Sequence, residues 1–150
     1  RLDIVIPMAG HGSRFSKAGY QAPKPLIDVN GKAMIERVIE NLKPLMPHRF
    51  IFLALAEHIQ KFDLKTKLRD WAGGQSLIVP VDHVTQGAAC TVLLAAKHLS
   101  EDCDLVIANS DQIVDVNFQT YVSWSRSTGS DGTIMVFEDD DIKWSFARLD

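Results

Sequence analysis

The first apolar run, Leu2 to Pro7 (LDIVIP), is short and β-branched, and the glycine-rich segment MAGHGSRF follows it directly. Such a run reads as a strand buried on both faces. From Ala33 to Leu42 the period changes. Met34, Val38 and Leu42 join Ile35 and Ile39 on one helical face, with Glu36, Arg37 and Glu40 opposite. Arg49 to Ala56 (RFIFLALA) returns to a continuous apolar strand, and a polar helix is expected from Glu57 to about Trp71, ended by Gly73 and Gly74. Ser76 to Val81 predicts a third strand, which Pro80 either shortens or places near an edge. Ala88 to Leu99 is a strong helix former, Asp104 to Ala108 a fourth strand, Val116 to about Arg126 another helix, and Thr133 to Glu138 a fifth strand. Lys143 to Leu149 has the composition of one more strand. Strands and amphipathic helices in alternation predict an α/β fold built on a doubly wound, mostly parallel sheet.

With 150 residues, 46% of them hydrophobic, the chain is sized for one domain with its own core. Nineteen acidic residues against sixteen basic ones give a formal charge of −3. No overall field then draws the chain to nucleic acid or to an anionic membrane, so neither is expected as a partner, and a bound phosphate must be held by local groups. No apolar run reaches the roughly 18–20 residues of a bilayer span. Cys90 and Cys103 lack CxxC spacing and read as reduced thiols of a cytoplasmic protein, Cys90 as a core residue of its alanine-rich helix. Trp71, Trp124 and Trp144 read as packing residues, His11 as solvent-facing, and Asp139 to Asp141 as a solvated turn. The chain opens on Arg1 and stops at Asp150 without a closing helix, which leads us to expect a piece of a longer one.

Open α/β sheets bind ligands beyond the carboxyl ends of their strands, and three polar segments fall there. After the first strand come Ala9, Gly10, His11, Gly12, Ser13 and Arg14. Two glycines let backbone N–H groups close on a phosphate chain, and Arg14 brings a planar fork of donors; the plain alternative is a tight turn with a surface arginine. This is not a P-loop, because no Gly-Lys-Ser/Thr follows. Phe15 stands where the dinucleotide fingerprint needs its third glycine, which counts against a nicotinamide-dependent oxidoreductase. Pro23, Lys24 and Pro25 hold a lysine on a stiff extended segment, either aimed at a phosphate or merely solvated in a loop. Asn109, Ser110, Asp111 and Gln112 follow the fourth strand, where Asp111 can hold Mg²⁺ or form an Asx turn. The five histidines show no H-E-x-x-H or other metal-binding spacing.

Together MAGHGSRF, PKPLI and NSDQ, continued by VNGKAM and QGAACTVLLA, resemble the nucleotidyltransferase family that activates phosphorylated sugars and related compounds. Within that family the chain looks most like the bacterial group of capsule and surface-polysaccharide pathways. The resemblance implies a Rossmann-like fold and a Mg²⁺-dependent enzyme that joins an NTP to a phosphorylated sugar or similar small acceptor, releasing pyrophosphate. It also implies roles. Met8, Ala9, Gly10 and Gly12 line the nucleotide, with Ser13 and Gln86 among the contacts; Gly87 and Ala88 pack under the base; Asp111 coordinates Mg²⁺. Arg14 on the β- and γ-phosphates and Lys24 on the α-phosphate are the expected catalytic pair. Asp82 and His83 stand where family members often carry a base-reading glutamine, which leaves the base open, with CTP or UTP favoured. The family's acceptor-binding residues and second metal-binding aspartate would lie beyond Asp150. Residues 1–150 are therefore expected to form the nucleotide-binding half of one nucleotidyltransferase domain, and a homo-oligomer is compatible with this. The alternative is a non-catalytic, nucleotide-binding regulatory module of the same fold.

Overall fold

The structure is a computed structural model that describes residues 1–148, without the side chains of Arg14 and Ser16. β1 (Leu2–Pro7) leads through a loop to α1 (Ser13–Lys17), a 3-10 turn at Lys24–Leu26, and a small hairpin of β2 (Asp28–Val29) and β3 (Lys32–Ala33). Next come α2 (Met34–Leu42), β4 (His48–Leu55), α3 (Ala56–Lys61), α4 (Leu64–Ala72) and β5 (Ser76–Val81). α5 (Ala88–Leu93), a 3-10 turn at Ala96–His98, β6 (Asp104–Ile107) and α6 (Phe118–Ser127) follow.

The main sheet runs β5-β4-β1-β6 with every pairing parallel. Pro80 lies on the edge strand β5, the position where a sheet best tolerates a missing N–H. Strand alternation divides the core between two faces. Leu2, Ile4 and Ile6 of β1 with Phe50 and Phe52 of β4 pack against α2, α4 and α6. Val5 with Ile51, Leu53 and Leu55 packs on the other face with β5, Val92, Ala95 and Leu99. Each such fully buried side chain contributes about 1.5–3 kcal/mol. α2 turns Ile35, Val38, Ile39 and Leu42 inward, the face its periodicity predicts.

One buried position in β1 is charged. Asp3 is 1% exposed, and the parallel register sets it opposite Arg49. Arg49 reaches it with Nη2–Oδ2 at 2.5 Å and Nε–Oδ1 at 3.2 Å, and Arg1 adds Nε at 3.3 Å. A carboxylate taken out of water needs such partners.

Six expectations are corrected. The polar helix from Glu57 breaks at Asp63, which takes a left-handed conformation (φ 49°), dividing it into α3 and α4. In a continuous helix Phe62 and Leu64 would point about 200° apart; the break lets both join one core cluster. The alanine-rich helix ends at Leu93 and continues only as a 3-10 turn, tightened by bonds such as Ala95 N–H to Val92 O at 2.9 Å. Its buried residues are Thr91 and Ala95, so Cys90 faces solvent rather than the core. Among the described residues no strand forms at 133–138, nor over 143–148, while Leu149 lies outside the described residues. The β propensity of Ile134, Val136 and Phe137 finds no strand to pair with, and all three are exposed. Trp71 packs against the core, whereas Trp124 and Trp144 are exposed. As expected, Asp139–Asp141 is a solvated turn, with Asp139 Oδ1 accepting from Asp141 N–H at 2.8 Å.

Candidate functional site

Because all four strands run parallel, their carboxyl ends share one edge of the sheet, and every predicted site segment except that of Lys24, which follows α1, leaves from it. β1 delivers the loop from Met8 to Gly12, β5 the segment to Gln86, and β6 the segment to Gln112. Met8 and Ala9 are buried beneath the loop, and the Met8 N–H donates to Leu53 O of β4 at 2.8 Å. Gly10 and His11 are exposed at its tip. Gly12 has φ +58°, a region glycine enters without penalty, and its carbonyl accepts from Phe15 N–H at 2.8 Å to start α1. α1 begins at Ser13 and carries Arg14, whose side chain is outside the described set.

The Pro-Lys-Pro segment comes to this loop. Pro23 and Pro25 are both buried, and they hold Lys24 at the start of its 3-10 turn. A Cβ added to Gly12 would sit 3.2 Å from Lys24 Cβ, so the glycine is what lets the two segments touch. Lys24 Nζ donates to Asp111 Oδ2, an ion pair across 87 sequence positions, and lies 5.4 Å from the centroid of the Phe15 ring. Both partners are about one-third exposed, accessible to a ligand. The structure thus brings together the glycine loop, Lys24 and Asp111, which the sequence offered as three separate segments.

Asp111 sits on a segment with its own supports. Asn109 Nδ2 donates to Gln112 Oε1 at 2.7 Å. Asn41 of α2 clasps Val114 from both sides, donating from Nδ2 to its carbonyl at 2.9 Å and accepting its N–H at 3.1 Å. A cleft of about 1010 Å³ runs from Asn109 and Gln112 along β6 to α6 and residues 130–135.

Gln86, Gly87 and Ala88 are exposed where α5 begins. Thr85 Oγ1 donates to Gly87 O at 2.9 Å and lies 2.6 Å from Thr91 Oγ1, which braces the turn. Among the described residues no hydrogen bond or ion pair joins these three to Lys24 or Asp111.

Three features escape sequence reasoning. The ring of Phe15, read only as a missing glycine, faces the lysine ammonium. The β2–β3 hairpin turns on Asn30 (φ 52°) and Gly31 (φ 82°), an Asn-Gly signal that the sequence carries openly. Finally, His11 is exposed as predicted, yet it faces Glu57, 3.9 Å away, beside His58 at the start of α3. Burial holds the His58 imidazole below its ordinary pKa, with the charges of His11 and Lys61 acting in the same direction and Glu57 opposing them. His11 stands 46 positions before Glu57, which hides the cluster from any spacing motif.

Among the described residues no helix is long and apolar enough to cross a membrane. Among curated relatives, the catalytic subunit beta of mannose-1-phosphate guanylyltransferase from Xenopus tropicalis is 28% identical over 137 residues, 90% of this chain and 38% of that protein. A nucleoside-diphosphate-sugar pyrophosphorylase structure from Vibrio cholerae RC9 aligns with a TM-score of 0.57 at 29% identity, covering 72% of this chain and 47% of that one. The UDP-glucose pyrophosphorylase of Acinetobacter baumannii shares the Rossmann-like fold, with a TM-score of 0.63 at 20% identity over 84% of this chain and 53% of that one. The chain therefore spans less than half the length of the curated relative and about half that of the structural neighbours. The nucleotidyl transferase family matches residues 4–143. That match starts inside β1 and runs past α6, reaching all four strands of the parallel sheet, and by it the chain belongs to the nucleotidyl transferase family.

Proposed function

We propose that this chain is the nucleotide-binding part of a Mg²⁺-dependent nucleotidyltransferase that joins an NTP to a phosphorylated sugar or similar small acceptor. The observation that carries this reading is the ion pair between Lys24 and Asp111 beside Gly12. It sets a cation for a phosphate, a carboxylate for a metal, and a loop without side-chain bulk within one small region.

Asp111 suits Mg²⁺ because it offers an accessible carboxylate oxygen that already holds a cation, and Mg²⁺ takes one or two carboxylates together with substrate phosphates. Bound there, Mg²⁺ would neutralise charge on the phosphate oxygens. The chain's own groups supply the rest. Met8 to Gly12 and Ser13 receive the nucleotide, Gln86 to Ala88 its base, and Arg14 the two phosphates that leave. Lys24, released from Asp111, turns to the α-phosphate. The acceptor is already an anion and needs little deprotonation, so its phosphate oxygen can attack the α-phosphorus while the bond to the β-phosphate breaks and pyrophosphate leaves. What resists this step is repulsion between polyanions, which positioned cations lower.

The relatives act on sugar 1-phosphates and nucleoside-diphosphate sugars by name, which supports the acceptor class. Their names include both a guanylyl and a uridyl enzyme, so they give no support to the CTP or UTP preference. A thermal-shift series with ATP, CTP, GTP, UTP and dTTP plus Mg²⁺ decides the base. A ligand at about 100 times its Kd adds about 2.7 kcal/mol, roughly 5–11 °C for a chain of this size. We expect such a shift with one NTP, lost in Lys24→Ala and Arg14→Ala, and pyrophosphate release with a sugar 1-phosphate once the chain is extended to include the acceptor-binding part. Binding without release by that longer chain would favour the regulatory module, and no shift with any NTP in either would overturn both.

A further inference from the structure

His11 and the pair Glu57–His58 come from different segments that the sheet sets side by side, the loop after β1 and the first turn of α3 after β4. One donor atom from each residue lies within 4.8 Å of the other two. Glu57 Oε1 is 3.9 Å from His11 Nδ1 and 3.8 Å from His58 Nε2. We propose that His11, Glu57 and His58 form a binding site for a transition-metal ion of the zinc class, which clips the glycine loop to α3.

The geometry is close to what such an ion needs. A tetrahedral ion with bonds of about 2.0–2.1 Å sets its ligand atoms about 3.3 Å apart. Both Glu57 separations exceed this by only about half an ångström, and the remaining pair by no more than about 1.5 Å. The adjustment falls on side chains free to make it, since those of His11 and Glu57 are 65% and 66% exposed. His58 is the fixed point. Its side chain is 15% exposed, and its ring meets Phe62 edge-on at 6.1 Å. Lys61, the helix's own cation near this site, holds its ammonium over the Phe62 ring, 5.3 Å from the centroid.

The donor set also selects the ion. Two imidazoles and one carboxylate suit zinc, cobalt, nickel or ferrous iron, whereas Mg²⁺ prefers oxygen ligands alone. Three protein ligands leave one position of a tetrahedral ion open to water or an anion. The oxygen-only carboxylate of Asp111 makes a different kind of site. Because His11 stands between Gly10 and Gly12, occupancy would restrict the most exposed part of that loop.

Cobalt(II) titration of the whole chain, with Cys90 and Cys103 alkylated, tests this through visible d–d absorption. No nucleotide is present, so the outcome is independent of the transferase reading. We expect one equivalent to bind, with no competition from excess Mg²⁺. Loss of an outer-shell partner already weakens metal sites 10–100-fold, so His11→Ala, Glu57→Gln and His58→Ala should each weaken uptake by roughly tenfold or more. His83→Ala, at an exposed histidine outside the cluster, should leave it unchanged. Failure to bind an equivalent, or binding that His11→Ala leaves intact, overturns the proposal. His11 is exposed on a loop, so its variant stays decisive even if His58→Ala unfolds.

Discussion

At Gly12 the backbone and the site are one problem. The left-handed φ lets the loop turn into α1, and the absent Cβ lets Lys24 approach. In Gly12→Ala both needs are violated, and the left-handed penalty alone is about 1–2 kcal/mol. We expect the unfolding midpoint to fall by about 2–8 °C and the NTP-dependent shift to disappear. Gly10 has neither a positive φ nor a neighbour within 4 Å, so Gly10→Ala should melt with the wild type. Equal midpoints for the Gly12 variant and the wild type would sink this account. His58 makes the second residue-scale prediction. Its folded pKa lies below the ordinary value of 6.5, so the folded state binds fewer protons than the unfolded one. Stability is then complete above about pH 6.5 and declines as pH falls towards the folded pKa. Denaturant midpoints for the wild type should drop between about pH 7.5 and pH 5.5 more than those of His58→Gln. Parallel pH profiles would refute the assignment.

Among the elements, the clasp between α2 and the Asp111 segment matters most for the site. Asn41 makes two hydrogen bonds to Val114, each worth about 0.5–1.5 kcal/mol net. Asn41→Ala should raise hydrogen exchange at the Val114 amide by one to two orders of magnitude, about 1–3 kcal/mol of local opening. Protection at Val114 equal to the wild type's would show that the clasp holds nothing. Elements whose pattern is complete in the sequence were legible there: the LDIVIP and RFIFLALA strands, and α2 with its single apolar face. Elements decided by a distant neighbour were not. The break at Asp63 depends on Phe62 and Leu64 seeking the same core, and the 133–138 run lacks a partner strand that only the fold could provide or withhold. The site divides in the same way. Gly12, Lys24 and Asp111 are marked by local chemistry, whereas Phe15, Asn41 and the His11–Glu57–His58 group gain meaning only through contacts across the sheet.

At the scale of residues 1–148, the uncovered side of the sheet is β6. Leu105 and Ile107 are 45% and 57% exposed on a terminal strand, and Ile134, Val136 and Phe137 are exposed nearby in sequence to α6. A free apolar edge is a template for pairing with another chain. Light scattering should show association that grows with concentration, and the double variant Leu105→Lys with Ile107→Lys should suppress it. A wild type that stays monomeric and fails to bind a hydrophobic dye would contradict this.

The 87 positions between Lys24 and Asp111 also bear on how the molecule is made. Closing a loop of that length costs about 4 kcal/mol of chain entropy. That cost falls once β6 pairs with β1, which carries Asp111 toward the glycine loop. While a ribosome has released only the chain through β5, the lysine has no carboxylate to meet. A species with β5, β4 and β1 assembled but β6 undocked would hold most of its core and lack its cation–carboxylate centre. Any small molecule that needs both groups would ignore that species and bind only chains in which β6 is docked, so its binding reports that step.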